Sequence, residues 1–247
     1  MLNRISSWLD ETDGLAMDHH GLSVLAEIKA DGTPVTQADR AIERRLRERI
    51  RSSFLDDVIV GEEEGGALPD SGVAWIIDPI DGTKNFARGI PVFATLVARW
   101  EDGQLTHAAV SAPALGHRWT ADESGAFLDG RPIRVEDRAS LEEADLCTGG
   151  LDFAESHAPN LGSILNKVRR HRGFGDFWGY CLLAQGSVDA MLEFAPLALY
   201  DIAAPRFIVE QAGGVVSDLT GDRALKPGPA LAAGPRLHAE ILAALDD

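Results

Sequence analysis

At 247 residues, with 39 acidic against 23 basic side chains and a net charge of -16, the chain can form one compact α/β unit or two closely packed halves, and it disfavours nucleic acid and anionic membranes as partners. Hydrophobic residues at 45% and charged residues at 25% are globular proportions. Cys147 and Cys181 stand far apart with no CxxC spacing, which suggests neither a disulfide framework nor a zinc knuckle and points to buried thiols. The chain lacks both a signal-peptide pattern and an apolar run long enough to span a membrane, so a cytoplasmic protein is expected.

Periodicity predicts a helix over 36–54, with Ala38, Ile42, Leu46 and Ile50 in one stripe, Thr36 as N-cap and an arginine-rich outer face. "VIVGEEEGG" reads as a β-branched strand entering an acidic turn, and "VAWIID" as a second, buried strand. "VFATLVARW", "THAAVSA" and "AFLDGRPIRV" continue the strand-rich pattern, the last as a hairpin with Asp129-Gly130 suited to a type I′ turn. Beyond about residue 140 the rhythm changes. "DLCTGG" reads as a strand, 160–170 and 177–185 as helices, and "VDAMLEF" as a strand. A helix over 201–212 stopped by Gly213-Gly214, a strand "VVSD" and a last helix over 237–245 follow. The expected organisation is an N-terminal α+β half, 1–138, with a C-terminal α/β half, 139–247, completing the site.

The chemistry concentrates in "WIIDPIDGTKNF", from Trp75. Two carboxylates three apart at the end of a buried strand repel each other and need a compensating cation. Pro79 keeps Asp78 extended, and "DGT" can open a helix whose free N–H groups face an anion. Oxygen ligands without nearby His or Cys suit Mg²⁺ rather than zinc. Each piece also has a plainer reading. The DPxDGT run could be a capped turn, "GEEEGG" a solvated loop, and Asp39 and Asp201 helix-capping residues.

Taken together, "KADGTPVTQAD" from Lys29, "GEE" from Gly61, "WIIDPIDGTKNF" and "LYDIAAPRFIVEQAGG" from Leu199 resemble the inositol monophosphatase family of magnesium-dependent phosphomonoesterases. The resemblance implies an α/β fold built as a layered α-β-α-β-α sandwich, a homodimer, and a small-molecule phosphomonoester as substrate. It implies two or three Mg²⁺ ions held by Glu62, Asp78, the Ile80 carbonyl, Asp81 and Asp201. It further implies that Asp39 and Thr83, with Glu62, activate the attacking water, and that Gly82 and Thr83 bind phosphate. Tyr200 stands where family members commonly carry Trp.

Within the family, "DGTKNFARGIPVFATLVA" and "RGFGDFWGYCLLAQGSVDA" are most similar to the histidinol-phosphate phosphatase branch. An ammonium and an imidazole call for carboxylates and an aromatic surface, which Asp176, Trp178 and Glu193 could supply. Phe177, Trp178 and Tyr180 could equally be core residues. Arg169, Arg170 and Arg172 could bind a second phosphate, which keeps 3′-phosphoadenosine 5′-phosphate (a bisphosphate nucleotidase) or fructose bisphosphate in play beside an inositol-1-monophosphatase, although an exposed basic helix end is the simpler reading. A catalytically silent phosphate-binding protein is the non-enzymatic alternative.

Overall fold

The computed structural model describes residues 1–20, 27–28 and 34–246. The chain opens with α1 (Leu2–His19), a hairpin of β1 (Glu27–Ile28) and β2 (Pro34–Val35), and α2 (Gln37–Ser53). There follow β3 (Val58–Gly61), β4 (Val73–Asp81), the short α3 (Thr83–Ala87), β5 (Ala94–Glu101), β6 (Gln104–Ala112), β7 (His117–Asp122), β8 (Gly125–Leu128) and β9 (Arg131–Ile133). The later part contains β10 (Asp145–Thr148), α4 (Ala154–His157), α5 (Leu161–Lys167), β11 (Arg170–Arg172), α6 (Asp176–Ala184) and β12 (Ala190–Leu197). It ends with α7 (Leu199–Gln211), β13 (Val215–Ser217), β14 (Gly228–Ala233) and α8 (Pro235–Asp246).

Seven strands form one sheet in simple sequence order from β3 to β9, with β3 and β4 parallel and the rest antiparallel. The second sheet runs β11-β10-β12-β14-β13 and mixes parallel with antiparallel pairs. Helices α1 and α2 cover one face of the large sheet, α6 and α7 lie between the sheets, and α5 and α8 cover the far face of the small one. That is the expected five-layer sandwich.

The layering follows from alternation along β4. Trp75 and Ile77 join Ile5, Trp8, Leu9, Ile42, Leu46 and Ile50 beneath α1 and α2. Ala74 and Ile76 face the other way, toward Ile202, Ile208 and Phe177 of the middle layer. A strand buried on both faces must be apolar at every position, and "VAWII" is. At the small sheet Met191 points into the middle layer while Leu192 and Phe194 join Ile164, Leu231, Leu237 and Ile241 outside.

Among the predicted elements, the helix over 36–54 forms with Thr36 as N-cap, and Asp39 answers it in a capping box. The Asp129-Gly130 turn has both residues at positive φ, 50° and 76°, as type I′ demands. The helix predicted over 160–170 is shorter. It ends at Lys167, and Arg170 begins an edge strand whose backbone pairs with β10. Sheet pairing there overrides local helix preference.

Candidate active site

Asp78 and Asp81 should point to opposite faces of a strand, because their spacing is odd. They converge because β4 breaks register against β5 between them: Asp78 pairs with Leu96 but Asp81 with Ala94, so three steps on one strand meet two on the other. This bulge re-aims one carboxylate onto the side of its neighbour. The Thr95 hydroxyl anchors it by donating to the Pro79 carbonyl at 2.8 Å. Gly82 then turns the chain at φ 81°, with Val92 O only 2.9 Å from where a Cβ would stand. The Thr83 hydroxyl donates to the Ile80 carbonyl at 2.9 Å.

The third carboxylate arrives from the other end of the chain. Asp201 sits in the first turn of α7, where its carboxylate accepts the Ala198 N–H at 2.7 Å. One oxygen each from Asp78, Asp81 and Asp201 lies within 4.8 Å of the others. Asp81 also accepts the Phe177 N–H at 2.6 Å, which ties the start of α6 to the end of β4.

Three acids this close cannot all ionise without help. Burial pushes the Asp78 and Asp81 carboxyls well above their ordinary range, reinforced for Asp78 by Glu62 and for Asp81 by Asp176. Asp201 is raised to about 7, first by burial, against the Ala198 N–H, with the charge of Glu62 adding to it. One oxygen of Asp78, Oδ1, is buried with no hydrogen-bond partner among the described residues. A divalent cation fits this donor set: it would pair with the orphaned oxygen and relieve the repulsion, and the ligands are hard oxygens.

Asp39 stands apart at the start of α2. Its Oδ2 accepts from the Thr36 N–H (2.8 Å) and hydroxyl (2.5 Å), while Oδ1 is buried without a partner among the described residues. Burial raises its carboxyl against these hydrogen bonds. Asp39 and Thr83 are not hydrogen-bonded to each other here; each is engaged locally, by Thr36 and Ile80. Glu62 lies in the turn after β3, and its charge is felt by Asp78, Asp201 and Asp39 alike. Residues 29–33 of the "KADGTPVTQAD" run lie outside the described residues.

A cavity of about 370 Å³ opens beside the cluster, lined by Asn85, Gly149, Gly150, Phe174, Asp176 and Trp178 among others. Asp176 holds a left-handed backbone, φ 52°, and accepts from the Asn85 side chain at 3.3 Å. Trp178 packs against Phe174 with ring centroids 4.8 Å apart. Glu193 is buried behind Gly149 and folds onto its own strand, accepting the N–H groups of Phe194 and Ala195 at 3.0 and 3.1 Å. Phe177 and Tyr180 are core residues, and the Tyr180 hydroxyl, near Glu193, Asp201 and Asp81, is buried without a partner among the described residues. Arg169 and Arg170 lie 2.9 and 4.0 Å from the Asp145 carboxylate, away from the cluster.

Asn85, Gly149 and the ion pair of Glu43 with Arg47 escaped the sequence reading. The pair left a trace. Asp39, Glu43 and Arg47 recur every four residues along the buried side of α2, where charge is out of place.

Comparison with known proteins agrees with this geometry. The chain is 40% identical over 249 residues to the histidinol-phosphatase of Mycobacterium tuberculosis, covering 96% of this chain and 94% of that one. It is 39% identical over 201 residues to the Nus factor SuhB of Pseudomonas aeruginosa, covering 76% and 73%. The solved structure of the Thermotoga maritima IMPase superposes with a TM-score of 0.90 at 33% identity, over 99% of this chain and 96% of that one. With a family model described as the inositol monophosphatase family matching residues 15–247, and the layered sandwich in place, the protein belongs to that family.

Proposed function

We propose that the protein is a Mg²⁺-dependent phosphomonoesterase that hydrolyses L-histidinol phosphate to L-histidinol and phosphate. The observation that carries the chemistry is the meeting of Asp78, Asp81 and Asp201 within 4.8 Å beside an open cavity. Glu62, Asp78, the Ile80 carbonyl, Asp81 and Asp201 would hold two or three cations. Bound there, Mg²⁺ supplies Lewis-acid neutralisation of the phosphoryl oxygens and acidifies a water. The N–H groups of Gly82 and Thr83 orient the phosphoryl group. Asp39, one of whose buried oxygens has no partner among the described residues, accepts the proton of the attacking water while Thr83 and Glu62 fix its position.

The substrate reading is supported by the 40% identical relative named histidinol-phosphatase and by the cavity itself, which sets Asp176 beside Trp178. A carboxylate and an indole face suit a cationic amino alcohol. Glu193 supports this wall from behind Gly149. The likeness to the Thermotoga maritima IMPase favours a second reading, hydrolysis of an inositol phosphate. Phosphate release from L-histidinol phosphate, myo-inositol 1-phosphate and 3′-phosphoadenosine 5′-phosphate, each with Mg²⁺ or with EDTA, separates them. The expected result is the highest kcat/KM on histidinol phosphate and none with EDTA. Preference for the inositol ester overturns the substrate, and turnover in EDTA overturns the metal chemistry.

A further inference from the structure

Glu43 and Arg47 are 0% and 5% exposed, and a buried ion pair is costly unless every lone pair and proton is satisfied. Here almost all of the satisfaction comes from one place, the turn that carries Glu62. Glu43 accepts the N–H groups of Glu63 and Glu64 at 2.7 and 3.0 Å and the Arg47 guanidinium at 2.8 Å. Arg47 donates in turn to the carbonyls of Gly65 (2.9 Å) and Ile59 (3.5 Å) and lies 3.3 Å from the Glu64 carboxylate. The Glu43 carboxylate fills the space a side chain at Gly61 would need; a Cβ there would sit 2.2 Å from its oxygen. The backbone is therefore fastened on both sides of Glu62, and the fastener grows from α2 one turn beyond Asp39.

We propose that the Glu43–Arg47 pair is a positioning device: it fixes Glu62 relative to Asp39 and so sets the affinity of the site for a divalent cation. The inference rests on the reading of Glu62 as a cation ligand. A pair kept only for stability would be replaceable by apolar residues without effect on the site.

Two variants separate the roles. Glu43→Gln keeps the size but loses the charge and half of the acceptors. The double variant Glu43→Met with Arg47→Met removes both charges together, leaving no buried arginine unpaired. Mg²⁺ is titrated calorimetrically into metal-stripped protein, urea unfolding is followed in parallel, and phosphate release is measured against Mg²⁺ concentration.

Wild type is expected to bind Mg²⁺ and Glu43→Gln to bind it roughly 10- to 100-fold more weakly, the usual effect of losing a group that orients a ligand. At saturating Mg²⁺ its KM for the phosphomonoester should be unchanged. The double variant should regain unfolding resistance but not cation affinity. Wild-type Mg²⁺ affinity in either variant overturns the positioning role while leaving the phosphatase reading intact. Failure of wild type to bind Mg²⁺ overturns both.

Discussion

Asp201→Asn should stabilise the metal-free protein while weakening its hold on Mg²⁺. Burial is the main cost of keeping the Asp201 carboxylate ionised, and the nearby charges of Glu62, Asp176 and Glu193 add to it. The carboxyl titrates at about 7 instead of 3.8, so holding it ionised in the folded chain at pH 8 costs roughly 4 kcal/mol. Partial exposure and salt halve that figure to about 2 kcal/mol. Asparagine keeps an oxygen for the Ala198 N–H, so the start of α7 is spared. Because the folded pKa is raised, this one carboxyl's contribution to wild-type stability is full below about pH 4 and is lost as pH rises through about 7. The gain in the variant should therefore be largest at pH 8 and fall to less than half of that at pH 5. Thermal unfolding in EDTA measures it, and about 2 kcal/mol corresponds to roughly 4–8 °C in a chain of this size. Adding Mg²⁺ should reverse the order, raising the wild-type Tm and leaving the variant almost unmoved. A metal-free variant that melts at or below wild type at pH 8 would refute the electrostatic account.

Asp39→Asn should lower kcat by roughly 10²- to 10⁴-fold with KM little changed, since its second buried oxygen is assigned to the water proton; steady-state kinetics at saturating Mg²⁺ decide this. Gly149→Ala puts a methyl 1.7 Å from Glu193 Oε2, so the glutamate must leave its backbone partners. KM for histidinol phosphate should rise while calorimetric Mg²⁺ affinity holds, and overpacking should cost about 1–3 kcal/mol in urea unfolding. Leu46→Ala, in the core beneath α1 and α2, should cost about 2–5 kcal/mol in the same assay and leave kcat at low temperature unaltered.

The legible parts of the chain were those where local pattern and tertiary role agree. Strand β4 is apolar on both faces, and α2 carries stripe and cap together, so each announced itself. Helix α1 did not, although Ile5, Trp8, Leu9 and Ala16 have helical spacing, because Ser, Asp and Gly14 dilute the signal. Strand β14, "GPALAA", lacks β-branched residues and exists through its pairing on both sides with β12 and β13. At the site, residue types were readable but geometry was not. No sequence rule announces the bulge that turns Asp81 onto the side of Asp78, or the contact between Asp81 and an N–H 96 residues away.

That last contact has a consequence for how the protein is made. All seven strands of the large sheet come from 58–133, but one of its faces packs against α6 and α7, which follow much later. A chain emerging from the ribosome completes the sheet first and carries a bare surface of Ile76, Leu96, Val110 and Trp119 until α7 arrives. The segment that buries this surface also delivers Asp201. A chain cut short of residue 201 thus lacks the third acid and presents an adhesive sheet, so aggregation and loss of activity begin at the same point.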